Sequence, residues 1–302
     1  MAYLHYVTFQ ERKSVKAGYV AIIGKPNVGK STLLNHLLGT KISAVTSKPQ
    51  TTRKRILGIL TEGEYQACFI DTPGIIDAEY ELQEQMVGQI KSAIADADVL
   101  VLLIDPWFKN DRSFWQFTDL ADEIPKIIAI NKIDLVSRND LLPLIDSLKS
   151  RRIPDIVPIS ALNGEGVADL KRIIFANLPE AEFFYPEEDI SDSPERFFVA
   201  DLIREKIFQR FKKEIPYATC VLIDDFKERE KGKDYIRAII YVERDSQKAI
   251  LIGKKGTALK KVGEEARREI ESFLGRTVYL ELWVKVKEKW RKNKKFLKEL
   301  GY

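Results

Sequence analysis

Cysteine, histidine and methionine are almost missing: a chain of 302 residues has two of each. Cys68 and Cys220 stand in separate strand-like runs, which fits reduced structural thiols and speaks against a disulfide. With only His5 and His36 as imidazoles, neither a zinc site nor a histidine-based catalytic dyad has its material. Long apolar runs are lacking too. None reaches the ~18 residues needed to span a bilayer. The opening "MAYLHYVTFQERKSVKAGYV" lacks the basic-then-apolar order of a secretory signal. The cytoplasm is the expected location.

What is abundant is charge, unevenly divided. Residues 1–189 hold 21 Lys+Arg against 26 Asp+Glu, net −5, while residues 190–302 hold 28 against 19, net +9. The length suits two domains. A basic second half points to nucleic acid or an anionic surface as its ligand.

In the first half, "GYVAIIGKPNVGKSTLLNHLLG" reads as an apolar strand, a glycine-bounded loop and a helix ended by Gly39. Gly24 and Gly29 let the loop of Lys25, Pro26, Asn27 and Val28 wrap a phosphate chain, and the helix start adds unpaired N–H groups. Lys30 then reaches the β and γ phosphates and Ser31 offers a hydroxyl to Mg²⁺. The strand "YQACFIDTPG" ends in Asp71, Thr72, Pro73 and Gly74: the carboxylate is a second Mg²⁺ group and the Gly74 N–H a γ-phosphate sensor. After "KIIAINKID", Asp134 accepts from the ring N–H and amino group of guanine, a donor pair adenine lacks, so GTP is favoured over ATP. Lys132 lies along the base plane and Asn131 ties this loop to the first. The run Ser160, Ala161, Leu162 offers a backbone N–H to the guanine oxygen.

These motifs in this order resemble the translation-factor-like GTPases. "SKPQTTRKR" lies where such GTPases keep switch I, and a threonine there completes the Mg²⁺ shell. Thr52 is favoured and Thr51 is the runner-up, since spacing does not separate neighbouring hydroxyls. Lys30, Thr52, Asp71 and Gly74 are thus the catalytic candidates, with Ser31, Thr52 and Asp71 as metal ligands. Ile75 departs from the signalling GTPases, many of which carry a water-orienting glutamine after the glycine, so intrinsic hydrolysis is expected to be slow. Asn27 resembles a residue that helps some related GTPases bind a monovalent cation, which makes K⁺ a candidate second cofactor.

In the second half, "ERFFVADLIREKIFQRFKKE" has helical spacing, "YATCVLIDDF" and "DYIRAIIYVER" read as strands joined by a charged loop, and Thr257 to Leu274 reads as a long helix ended by Gly275. "TVYLELWVKV" closes with strict alternation. Before the long helix stands "GKKG". This order resembles a type II KH domain, whose GxxG loop clamps the backbone of about four single-stranded nucleotides. Gly253 and Gly256 give close approach, Lys254, Lys255 and Lys260 neutralise phosphates, and Ile250 and Ile252 are candidates for the apolar platform under the bases. In the basic tail, Trp290 is read as a base-stacking or membrane-interface residue or as part of a solvated helix.

The expected fold is α/β, a doubly wound mostly parallel sheet of the P-loop GTPase kind, followed by a smaller α+β KH domain. The expected boundaries are an extension at 1–17, a GTPase domain at 18–182, a linker at 183–194, a KH domain at 195–292 and a basic tail at 293–302. Together the motifs resemble the Era family of ribosome-assembly GTPases. The resemblance implies a monomer that takes GTP and GDP with Mg²⁺. It also implies binding of the 3′ region of 16S rRNA, help in maturing the 30S subunit, and peripheral association with the inner membrane. One rival reading has the basic domain dock a protein or a membrane instead of RNA; another, an ATP-using enzyme, is opposed by Asp134.

Overall fold

The run VLVLLI has no polar face, and a strand of that kind must be covered on both sides. The computed structural model describes residues 15–109, 112–121, 123–149 and 153–302. In it this run is β4 (Val99–Ile104), buried along its whole length. It pairs in parallel with β1 (Lys16–Gly24) and β5 (Lys126–Ile130), and β6 (Asp155–Pro158) follows β5. On the other side of β1 lies β3 (Tyr65–Asp71), parallel to it, and then β2 (Ile56–Glu62), antiparallel to β3. The order β2-β3-β1-β4-β5-β6 reverses at β1, and such a reversal opens a crevice at the strand C-terminal ends.

Alternate residues of the central strands feed two cores. Val99, Val101 and Leu103 pack with Leu33 and Leu34 of α1 (Lys30–Leu38) and Leu170 and Ile174 of α5 (Val167–Asn177). Leu100, Leu102 and Ile104 pack with α2 (Glu81–Ala95), α3 (Arg112–Thr118) and α4 (Arg138–Lys149) through Ile90, Phe114 and Leu141. The doubly wound arrangement follows from the period-2 strand geometry.

The second part is a three-stranded sheet, β7 (Cys220–Lys227), β8 (Asp234–Val242) and β9 (Val278–Val286), in the order β7-β8-β9. β7 and β8 are antiparallel, β8 and β9 parallel. One face is covered by α6 (Glu195–Arg210), α8 (Asp245–Ile252) and α9 (Thr257–Leu274), with Val262, Ala266 and Ile270 of α9 fully buried. A short α7 (Ile215–Ala218), not evident in the sequence, precedes β7.

Three segments depart from expectation. β1 begins at Lys16, inside the stretch read as an extension, whose first fourteen residues lie outside those described. The acidic linker is not a free tether. The Gln66 amide accepts from the Phe184 and Tyr185 N–H groups and donates to the Tyr185 carbonyl, Phe184 stacks on Tyr19, and the Ile190 carbonyl accepts from Ile59 N–H. The linker therefore covers the outer edge of β2, which would otherwise present unpaired backbone groups.

The tail is the third. Trp290 is fully buried, its indole N–H donating to the Ala218 carbonyl at 2.8 Å, and so it stacks on no base and meets no membrane. With Phe296, Leu297 and Leu300 of and beside α10 (Lys294–Glu299) it forms a small core against Cys220 and against Leu82 and Met86 of α2. A mostly basic sequence hid these apolar residues because their partners lie far off in the chain, Cys220 some seventy residues away and Leu82 and Met86 some two hundred.

Candidate nucleotide and RNA sites

At the crevice beside β1 the loop Gly24–Gly29 wraps around the start of α1, and the local sequence dictates its shape. Gly29 has φ 107°, and a Cβ there would stand 2.2 Å from the Asn131 amide nitrogen. Gly74 approaches so closely that its Cβ would lie 2.8 Å from the Pro26 backbone. These glycines bring the P-loop, the strand end after Asp71 and the Asn131 loop into contact. Thr72 Oγ1 donates to the Ile22 carbonyl, and Ile75 N–H donates to the Gly24 carbonyl. The Ile75 side chain is buried in the sheet core, so it positions backbone and reaches no solvent molecule.

Lys30 is 6% exposed and its ammonium donates to the carbonyls of Gly24 and Lys25 at 3.0 and 3.1 Å. Burial lowers its pKa to about 8 against the opposing pull of Asp71. Asp71 is fully buried, and burial pushes its carboxyl up while Lys30 and three hydroxyls hold it down. Ser31, Ser43 and Thr52 all donate to Asp71 Oδ2, at 2.7, 2.9 and 3.4 Å, and the Ser31 and Thr52 hydroxyls are 2.9 Å apart. Thr51 turns away, its hydroxyl bonded to Thr46 Oγ1 and the Lys48 carbonyl. The two hydroxyls thus have different partners, and that geometry separates the two threonines where spacing did not.

The fit to Mg²⁺ is read from the same atoms. Ser31, Thr52 and Asp71 are hard oxygen donors, and Asp71 Oδ1 is a buried oxygen with no hydrogen-bond partner. Among the described residues no group of three His, Cys, Asp or Glu could form an all-protein cage. One carboxylate with hydroxyls is what Mg²⁺ uses when phosphates and water supply its other ligands. The residues fit.

A cavity of about 320 Å³ runs from the P-loop to Asp134 and Leu162. Asn131 ties its two ends, donating to the Val28 carbonyl and accepting from Ala161 N–H, both at 2.8 Å. The Lys132 ammonium lies 3.6 Å from Asp105. Asp134 Oδ1 accepts from the Ser160 hydroxyl at 2.6 Å; the carboxylate is exposed at the rim, so it becomes buried only when something covers it. Ser160 N–H donates to the Glu165 carbonyl, which leaves Leu162 as the residue of its run whose N–H is uncommitted among the described residues. Sequence reasoning missed Ser43, Val45, Thr46 and Leu135, which complete the cavity or the Asp71 network. Leu135 directly follows Asp134 and could have been found; Ser43 sits in an undistinguished loop. Asn27 donates to the Ser47 carbonyl at 2.8 Å, tying the P-loop to switch I.

Switch I also reaches the second domain. Arg53, next to Thr52, is 1% exposed and donates to the carbonyls of Pro216, Tyr217 and Thr219 at 2.8–3.1 Å, with Phe208 and Trp290 rings 5.5 and 5.9 Å away. Lys48 donates to the carbonyls of Phe208 and Phe211, Lys54 to that of Leu300, and Lys41 pairs with Glu205 and Glu269.

In the second domain, Gly253 (φ 74°) could carry no side chain, since a Cβ would meet that of Ala258 at 2.7 Å. Lys254 and Lys255 are exposed, and Lys255 itself has φ 52°. Beside the loop a groove of about 400 Å³ lies between α9 and β9, lined by Leu259, Lys260, Gly263, Arg267, Leu280 and Leu282. Its apolar floor comes from Leu259, Leu280 and Leu282. Ile250 and Ile252, the expected platform, do not line it: Ile250 is exposed on α8 and Ile252 packs against the domain core.

The chain matches the family model described as a 50S ribosome-binding GTPase over residues 19–132 and that of the KH domain over residues 214–291. GTPase Era of Trichlorobacter lovleyi is 46% identical over 289 residues, 95% of this chain and 98% of that protein. A chloroplastic GTPase ERA-like protein of Oryza sativa subsp. japonica is 43% identical over 293 residues, 95% of this chain and 69% of its own. Two solved structures superpose with a TM-score of 0.91 at 42% identity, covering 95% of this chain and 99% of each. One is a variant of Aquifex aeolicus Era bound to GDP·AlF4⁻, the other Era with MgGDPNP and nucleotides 1506–1542 of 16S ribosomal RNA.

Proposed function

The chain belongs to the Era family of GTPases, and from that premise we propose that it is a GTP-driven clamp on the 3′ region of 16S rRNA that serves maturation of the 30S subunit. One observation carries the reading: Thr52, beside Ser31 and Asp71, is followed immediately by Arg53, whose guanidinium is sunk in the RNA-binding domain. A single backbone step joins the nucleotide site to the domain that would hold RNA.

In this reading Lys30 leaves the carbonyls of its own loop for the β and γ phosphates, and the Gly74 N–H meets the γ phosphate. Ser31, Thr52 and Asp71 would hold Mg²⁺, which when bound neutralises charge across the β and γ phosphates. Asp134 with the Leu162 N–H selects guanine. Because Ile75 is buried and apolar, water is oriented by backbone groups or by a partner, and intrinsic hydrolysis is slow. Movement of Thr52 on hydrolysis pulls Arg53 and so re-seats the second domain. RNA then binds more tightly with GTP than with GDP, and by linkage RNA tightens GTP equally. Asn27 would assist a K⁺ ion near the phosphates; its present bond to Ser47 would be exchanged. We further propose a cytoplasmic monomer. Peripheral contact with a membrane would involve the exposed lysines of the tail, since its aromatic and apolar residues are internal.

The test is the affinity of an RNA matching the 3′ end of 16S rRNA, at stated salt, with a GTP analogue and with GDP, for the natural chain and Lys254→Asp/Lys255→Asp. Tight binding that favours the GTP form and collapses in the variant supports the clamp. Binding indifferent to nucleotide and to those lysines overturns it.

A further inference from the structure

The outer face of the three-stranded sheet, opposite its helices, carries aromatic side chains that neither domain uses. Tyr279 and Trp283 of β9 are 59% and 52% exposed. Tyr279 stacks on Tyr235 of β8, ring centres 6.0 Å apart and planes 13° apart. Glu281, between them, accepts from the Tyr235 hydroxyl and from the Trp283 indole N–H at 2.8 Å, so it tethers both rings. The other end of this face is already occupied: Phe296 of α10 packs on Tyr241, and Leu222 belongs to the tail core. The aromatic strip is therefore what the tail leaves uncovered.

Two features say what covers it. β9 is an edge strand, and its opposite side, Leu280 and Leu282, floors the groove that starts at the GKKG loop. A strand leaving that groove past the β9 edge arrives on Tyr279 and Trp283. The surroundings carry paired and unpaired cations: Lys227, 5.8 Å from the Tyr235 ring, pairs with Asp225, Arg237 pairs with Asp224, and Lys285 is exposed two residues after Trp283. Exposed rings beside lysines are the elements of a base-stacking platform, and stacking tolerates any base. Asp224 and Asp225 are taken up by Arg237 and Lys227, while the carboxylate among the rings, Glu281, is engaged by two ring donors, and its remaining lone pairs suit bases with an exocyclic amino group.

We propose that this strip is a second RNA subsite, which stacks the bases of the same single strand once it has passed from the GKKG groove over the β9 edge. It extends the RNA reading above and rests on it. The length of RNA the protein holds is then longer than the about four nucleotides of a KH groove alone.

The test compares RNA lengths on the full chain. A core of about four nucleotides and the same core extended by about four cytidines, at the 5′ or at the 3′ end, are titrated against the natural chain, Tyr279→Ala, Trp283→Ala and Trp283→Phe. The expected result is that extension at one end tightens binding, that each alanine variant loses roughly tenfold or more of that gain, and that phenylalanine keeps it. Affinity for the core and GTP hydrolysis stay unchanged in all variants, and Trp283 fluorescence is quenched only by the extended RNA. If the core binds but extension adds nothing, or adds as much in the alanine variants, the subsite is wrong and the strip is left to a protein partner. If the core itself does not bind, or binds regardless of Lys254 and Lys255, the underlying RNA reading fails instead.

Discussion

Lys30 and the pair Lys254–Lys255 each sit in a loop bounded by glycines, yet the two loops hold their charge in opposite ways. Lys30 is buried, leans on two carbonyls and faces a buried Asp71 across a network of hydroxyls. Lys254 and Lys255 are exposed and stand clear of the domain core. The first arrangement suits one small, highly charged ligand whose every oxygen is met by a fixed group, and in a water-poor site each group is strong. The second suits a polymer that brings its own geometry, where lysines act by displacing counterions and salt weakens them. Between the two lies Arg53, buried like Lys30 but bonded entirely to the other domain.

The sharpest break of this comparison is Lys30→Ala. GTP hydrolysis, followed by phosphate release, should fall by roughly 10²- to 10³-fold, while RNA affinity in the GDP form is unchanged. Next is Arg53→Ala, which strands three carbonyls at the domain joint. Its unfolding free energy should fall by about 1–3 kcal/mol, read by denaturant titration, and RNA affinity should lose its dependence on nucleotide. Arg53→Lys should not restore it, because one ammonium does not reproduce a planar fork reaching three acceptors. Smaller is Lys254→Ala/Lys255→Ala: RNA binding weakens and the slope of log affinity against log salt flattens by roughly 1.4, two lost contacts at about 0.7 each, with hydrolysis intact.

The smallest effect is on pH. Folding lowers the Lys30 pKa from its ordinary 10.5 to about 8. Between those values the unfolded chain binds more protons, so this group makes the nucleotide-free protein more stable as pH rises through the window. The phosphates meanwhile lose their cation. GTP affinity should therefore decline from pH 7 to 9, with proton uptake on binding that Lys30→Ala abolishes. Calorimetry in buffers of different ionisation enthalpy measures it.

Much of this was legible beforehand because it is local. The P-loop, the strand ending in Asp71, the Asn131–Asp134 loop and the GKKG loop are short stretches whose shape is set by glycine conformation and by flanking apolar periodicity. The long α9, with its glycine beyond the last turn, was written in eighteen consecutive residues. The groove was only half legible. Leu259, Leu280 and Leu282 read as core by their spacing, and they do sit on the core side of their elements, but at its margin, where Gly263 keeps the space beside them open.

By itself, then, the sequence determined the main strands and helices around the glycine-bounded loops, which loops have the make-up of phosphate cradles, and that the two halves differ in charge, since these follow from neighbours within a few residues. Only the tertiary structure decided that Thr52 and not Thr51 faces Asp71, that Leu162 keeps its N–H uncommitted among the described residues, that the linker is fastened to β2, and that Arg53 and Trp290 are interior. Each of those depends on groups far apart in the chain. A cation or an indole in a basic, polar stretch reads as surface until packing delivers the carbonyls and rings that let it be buried.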